Sequence, residues 1–480
     1  ALLLSTILLA GCGSSAQPAT SAPAAGNAAQ TSQTTQTPYA EDAQLLVYAV
    51  EAAHPAFVID ELLPDGYAQA QKTFLKDAGS AADTAAFELM ANNYLSSLND
   101  SHTAITKNSL PDDSILNNMG KSALDLKFSF RADKIYLTDE KGELTESEII
   151  SVGGVSSDKI IAAVNETFPT DTPFMEKDIR KKYVFDKEIL ALCGCDTTQP
   201  EIEVVCSDQT ITAVFVDSDE AADDSEAKTA SAKMIDDIFY VDVNSFFTKD
   251  EDYVAVLQQA RDFTQNGGGK VIIDVRDNIG GNYDRVSELM SSFDISIPEG
   301  RAIIRHTNGE WQSIKKDPAS AVADKTFSDY PASTNMVKAN PNIDLAVLCN
   351  ENTCDAAVAL CTGVKDGEVG TVLGKATHSS PAFYYGAVDY ELPNSKITVK
   401  ISSSYRFRPN TDNHQEVFIP NEIIFDDDPL QYTIDNHFKA AKKAAEEEVS
   451  EEPEETEETE EVKETEEVSE EVSEETQKTE

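Results

Sequence analysis

The chain has 480 residues, 40% hydrophobic and 8% aromatic, enough for roughly two to four domains with a sizeable core. Its 38 basic and 86 acidic side chains leave a net charge of −48, which repels phosphate backbones and argues against nucleic acid as a partner. No uninterrupted apolar run of about 18 residues occurs, so no internal helix is expected to span a membrane.

The chain opens ALLLSTILLAG, an apolar stretch followed by Cys12. Leu9-Ala10-Gly11-Cys12 resembles a bacterial lipobox. That resemblance implies cleavage before Cys12, diacylglycerol on its thiol, and an extracytoplasmic lipoprotein anchored to the cell membrane. The plainer alternative is a secretory signal with an incidental cysteine. Residues 13–38 are uncharged and hold almost nothing to bury, which predicts a flexible linker.

Residues 39–110 read as a helical segment, with apolar residues at three- and four-residue spacing over 42–52 and 85–98. Residues 120–216 change character. Short alternating runs at 124–130, 134–137 and 202–206 predict strands, and EIISVGGVSSDKIIAAVN (148–165) reads as strand, Gly-Gly turn and helix. An acidic loop follows at 217–228. Residues 230–440 alternate strands (238–243, 270–275, 345–349, and one beginning at 372) with helices (250–266, 285–293, 356–364). Buried strands alternating with helices predict an α/β sheet with covered faces. Residues 441–480 close the chain as an acidic tail. Positions 446–480 hold 19 Glu against 2 Lys, and like charges at i,i+4 spacing predict disorder.

Of seven cysteines, Cys12 is assigned to lipid. Cys193, Cys195, Cys206 and Cys349, Cys354, Cys361 form two trios without zinc-site spacing. Cys349 and Cys361 read as free, buried, apolar cysteines. His54, His306, His378, His414 and His437 lack metal-ligand spacing and receive no role. Neither a metal nor a cofactor is expected.

Three segments carry chemistry: LNDSHTAI at the end of the helical part, KVIIDVRDNIGGN at the end of a buried strand, and LCNENTCDAAVALCTGVKD across a strand-to-helix corner. Alone, each reads as a turn or a helix cap. Together, in this order, they resemble the tail-specific serine peptidases, which include the carboxy-terminal processing and tricorn core peptidases. The likeness runs from about residue 42 to 435. It implies a crotonase/ClpP-like α/β peptidase core, an N-terminal helical segment, a small PDZ-like β-rich insert over 120–216, and polypeptide as substrate or ligand. By resemblance His102 is the general base and Ser101 its companion. The Gly280–Gly281 turn and the Ala356 amide would serve the oxyanion and the peptide groove. A lysine-based branch places its base near Ser380, so that branch does not fit.

The nucleophile position departs from the pattern. Aligned on Thr353 and Ala356-Ala357, the expected serine is Asp355, and no serine lies between Asn350 and Leu360. Carboxylate attack on an amide would give a mixed anhydride rather than the usual acyl-enzyme. Asp355 is expected to face His102 at a helix N-terminus, with Cys354 packed inward. Three readings stay open: a membrane-anchored serine-type endopeptidase, a disarmed pseudopeptidase that binds peptide tails or regulates an active relative, and an interaction lipoprotein using the fold as scaffold.

Overall fold

The computed structural model describes residues 37–106, 110, 114–217, 229–305, 318–333, 337–410 and 417–439. Cys12, the signal and nearly all of the linker, the acidic loop beyond residue 217, His306, His414 and the acidic tail lie outside the described residues.

Three helices open the described chain: α1 (Pro38–Ala53), α2 (Tyr67–Asp77) and α3 (Thr84–Ser96). Thr37 and Asp83 cap α1 and α3 by accepting from the amides of Ala40 and Ala86, and Pro38 begins α1 where no amide donor is needed. Their apolar faces bury Leu46, Val50, Phe74, Phe87 and Leu95, but they do not close this core alone. Val388, Tyr390, Leu392, Ile397, Val399 and Ile401 complete it from a hairpin (Val388–Glu391, Thr398–Ile401) near the other end of the chain. Strand β1 (Ala104–Ile105) joins that hairpin, Ala104 opposite Lys400 and Ile105 opposite Val399. This pairing ties the segment holding Ser101 and His102 to a hairpin nearly 300 residues later in the sequence.

The insert contains an antiparallel sheet of Phe128–Arg131, Lys134–Thr138, Leu144–Val152, Ile202–Cys206 and Thr210–Ala213. Helices Ser157–Thr167, Pro173–Tyr183 and Lys187–Leu192 pack with it. The single strand expected at 124–130 is two. Ser122–Leu124 pairs with Phe215–Asp217, whereas Phe128–Arg131 pairs with Lys134–Thr138. Between them the Leu126 amide bonds the Leu124 carbonyl at 2.9 Å, a tight turn that ends the first ladder.

The third part is a six-stranded sheet in the order β2 (Ala230–Ile235), β3 (Ile238–Val243), β4 (Gly269–Asp274), β5 (Ile343–Cys349), β6 (Thr371–Gly374), β7 (Glu422–Ile423). Strands β3 to β7 run parallel and β2 is antiparallel at the edge. Alternate side chains separate to the two faces. Phe239, Val241, Val271, Ile273, Leu345 and Val347 meet helices α4 (Glu251–Gln265), α5 (Tyr283–Ser292) and α6 (Asp355–Asp366). Tyr240, Ile272, Ala346, Leu348 and Leu373 are covered by Ile424, Ile434 and Phe438. Each such aliphatic or aromatic side chain, fully buried, contributes roughly 1.5–3 kcal/mol, which makes this sheet the rigid platform of the molecule.

Candidate active site

The site lies where β4 and β5, neighbours in the sheet, end. Carboxyl ends of parallel strands are the usual place for ligands in α/β folds. Asp274 closes β4 by pairing with Arg276, Nη2 to Oδ2 at 2.6 Å, while the Tyr240 hydroxyl donates to the same carboxylate at 2.8 Å. These charges satisfy one another and fix the strand end. The next residues are stitched to the corner after β5. Asn350 and Asn352 donate side-chain N–H groups to Asp277 Oδ1 at 2.9 and 2.7 Å. Thr353 Oγ1 donates to the Val275 carbonyl at 2.8 Å, and the Cys354 amide donates to the Asn278 carbonyl at 2.9 Å.

Asn278 is buried, its Nδ2 donating to the Val243 carbonyl at 2.7 Å and its Oδ1 accepting from the Gly280 amide at 2.8 Å. The Gly280 N–H is therefore engaged rather than offered to an oxyanion, a correction to the sequence-based expectation. The lack of a side chain at Gly280 matters instead. With φ at +90°, a Cβ here would sit 2.8 Å from both Cβ and Oδ2 of Asp355. At Gly281 a Cβ would lie 2.2 Å from the Phe246 carbonyl carbon. The Ala356 amide lies in the first turn of α6, where amides have no acceptor within the helix.

Asp355 begins α6 with φ at +41°, a left-handed conformation that Asp tolerates better than most residues. Its amide donates to Ser379 Oγ at 3.2 Å, and the Ser379 hydroxyl donates to Asp355 Oδ1 at 3.0 Å. Oδ2 faces His102 Nε2 at 3.8 Å. Burial raises the Asp355 carboxyl, but His102 and Ser379 outweigh it and hold the group below its ordinary value. Cys354, expected to pack inward, is only half-buried, with its thiol 3.3 Å from the Asn352 carbonyl. Burial and the neighbouring Asp355 charge push this thiol up to about 11, which suppresses the nucleophilic thiolate.

His102 follows a buried carboxylate. Asp100 accepts from His54 Nε2 at 3.1 Å, from Thr103 Oγ1 at 2.5 Å and from the His102 amide at 2.9 Å. Burial opposes its ionisation, but His102 and His54 hold it well below the usual carboxylate range. His54 Nδ1 accepts from the Ala56 amide at 3.3 Å, so Nε2 carries the proton given to Asp100. His102 Nδ1 lies 3.7 Å from Asp100 Oδ1 and 3.5 Å from Ser101 Oγ. Burial lowers the His102 imidazole; Asp100 and Asp355 reverse that and raise it to about 10. At neutral pH His102 is thus an imidazolium between carboxylates.

Sequence reasoning passed over three residues that the fold brings here. His54, to which no role was assigned, orients Asp100. Ser379 holds both the amide and the carboxylate of Asp355. Asp171 accepts from the Ser101 hydroxyl at 2.9 Å and from its amide at 3.2 Å. The turn FPTDTPF around Asp171 signals a helix start, and Thr172 does cap Pro173–Tyr183, but nothing local points to Ser101. His378 has a backbone part: its amide donates to the Thr353 carbonyl at 3.0 Å and its carbonyl accepts from Thr172 Oγ1. A cleft of about 700 Å³ opens beside Asp171, walled by Leu62, Leu63, Phe383, Tyr384 and Tyr405. Among the described residues, no cluster of His, Cys, Asp and Glu is arranged to hold a metal ion, and no helix is long and apolar enough to cross a membrane.

Comparison with known proteins bears on the fold of the chain and on the family of one segment. Mature CPAF in complex with lactacystin is similar in structure with a TM-score of 0.52 at 12% identity, covering 86% of this chain and 99% of the other. A second structure of mature CPAF gives 0.50 at 13% identity, covering 80% and 93%. At such identities the likeness establishes the fold, an α/β peptidase core. No curated protein matches the sequence. Residues 237–417 match the model of peptidase family S41, a segment that contains β4, β5, the Gly280–Gly281 turn and the Asp355 corner. On that match, residues 237–417, which hold the Gly280–Gly281 turn and the Asp355 corner, are similar to peptidase family S41.

Proposed function

We propose that this protein is a disarmed tail-specific peptidase that binds polypeptide segments at the ends of β4 and β5 without cleaving them. The observation that carries this reading is the Asp355–His102 pair. A carboxylate stands at the nucleophile position and faces the base at 3.8 Å. It removes the hydroxyl and, together with Asp100, favours the protonated form of His102. The carboxylate at the head of α6 favours itself there through the helix dipole and mimics the charge of a cleaved product. The cleft of about 700 Å³ beside Asp171 supports retention of a peptide site.

The test is hydrolysis of casein by the chain lacking residues 1–12, by its Asp355→Ser variant, and by Asp355→Ser with His102→Ala. A silent parent, an active Asp355→Ser and a silent double variant are expected. His102-dependent cleavage by the parent would overturn the reading and point to a working peptidase with another nucleophile. We also propose export and membrane anchoring through Cys12, based on the lipobox-like Leu9-Ala10-Gly11-Cys12. Mass spectrometry should find a diacylglyceryl group on Cys12, and Cys12→Ala should release the protein from membranes.

A further inference from the structure

We propose that Asp171, carried by the insert, is a positioning residue of this site. It grips Ser101 and, through the Ser101 hydroxyl, fixes His102 so that Nε2 points at residue 355. The proposal rests on the peptidase-site reading above and adds to it the part played by the insert.

The hydrogen-bond directions carry the argument. Asp171 takes both the amide and the hydroxyl proton of Ser101, at 3.2 and 2.9 Å. With its proton pointing to Asp171, Ser101 Oγ presents only lone pairs toward His102 Nδ1, 3.5 Å away. Nδ1 must then carry hydrogen, which leaves Nε2 as the atom that gains and loses a proton opposite residue 355. A base working on a nucleophile at position 355 needs that tautomer.

The anchorage of Asp171 is equally specific. Asn92 and Ser96 of α3 both donate to the Thr167 carbonyl, at 2.7 and 2.8 Å. On the other side Thr172 Oγ1 donates to the carbonyl of His378, next to Ser379, which holds Asp355. The loop bearing Asp171 is thus clamped between the segment of the base and the segment of residue 355. A mere turn anchor would be served by a neutral Asn. Here a carboxylate is buried next to another carboxylate, and burial together with Asp100 raises Asp171 to about 6, eased by Ser101 and His102. The charged and titratable groups facing Asp171 are Asp100, His102 and the phenols of Tyr384 and Tyr405. Those facing His102 are Asp100, Asp355 and, across Ser101, Asp171.

The test uses the full chain with isotope-labelled histidine and follows the His102 imidazole by NMR against pH. It compares the parent, Asp171→Asn, Ser101→Ala and the double variant. Asp171→Asn should lower the His102 midpoint by about one pH unit, a tenfold change. Above the midpoint it should shift the neutral ring from Nδ1–H toward Nε2–H. In the Ser101→Ala background, Asp171→Asn should have no further effect. An unchanged midpoint and tautomer in folded Asp171→Asn would overturn the proposal, as would an equal effect with and without Ser101. If Asp171→Asn does not fold, Ser101→Ala alone decides, because it should produce the same tautomer shift. With Asp355→Ser added, Asp171→Asn should lower kcat for casein with KM unchanged. If Asp355→Ser is silent, the functional reading fails while the imidazole measurement still judges Asp171.

Discussion

Replacing Asp355 by Asn removes one charge while keeping shape, and Asn tolerates the same left-handed φ of +41°. Two unit charges 3.8 Å apart attract by about 4 kcal/mol at an effective dielectric of 20 and by about 1 kcal/mol in bulk water. Both side chains are about one-third exposed, 32% for His102 and 30% for Asp355, so screening leaves about 2 kcal/mol. That corresponds to a fall of about 1.5 units in the His102 midpoint. The signs define a window. His102 is raised from 6.5 to about 10, so its contribution is full below 6.5 and disappears as pH climbs through 10. Asp355 is lowered from 3.8, so its contribution exists above 3.8 and is lost as pH falls below that. Urea denaturation followed by circular dichroism should therefore show the parent more stable than Asp355→Asn by about 2 kcal/mol between pH 5 and 8. The gap should close above pH 10, and 1 M salt should narrow it. A gap that persists unchanged at pH 10.5, or no gap at pH 7, would refute the ion-pair account.

Other consequences follow from the same geometry. Asp100→Ala should cost roughly 3–5 kcal/mol, because it strands buried donors on His54, Thr103 and the His102 amide; a thermal melt would show a large drop. Gly280→Ala should destabilise by about 1–2 kcal/mol from its φ of +90° alone. It should also displace Asp355, visible as a lower His102 midpoint; an unchanged midpoint would contradict the close approach. Cys354, with its thiol near 11, should react with iodoacetamide roughly a hundredfold more slowly in native than in unfolded protein at pH 7.5, and equal rates would count against its protected setting.

The long-period signals in the sequence were readable. The apolar runs at 238–243, 270–275 and 345–349 are β3, β4 and β5, shifted by no more than two residues at either end, because buried parallel strands are written in β-branched and aliphatic residues. The helix expected at 356–364 begins one residue earlier and ends two later. Pairings across distance were not readable. The hairpin Val388–Glu391 with Thr398–Ile401 shares its core with α1 and α3, and no local pattern says which helices will cover it. The same holds within the site. His102, Asp355 and the two glycines stand in motifs, whereas His54, Asp171 and Ser379 reach their partners from 46, 70 and 24 residues away. Gly280 misled because its motif identifies a close backbone approach but not which group its amide will bond.

The strand β1 also has a temporal consequence. The Ser402 amide bonds Thr103 Oγ1 at 3.0 Å across 299 residues of sequence, and Ile105 pairs with Val399. Loops of that span close late, since their entropy must be overcome before any contact rewards it. A chain emerging N-terminus first would hold His102 without its frame until the hairpin at 388–401 arrived. The base and the residue it faces are therefore framed only once the chain has been made through the hairpin at 388–401.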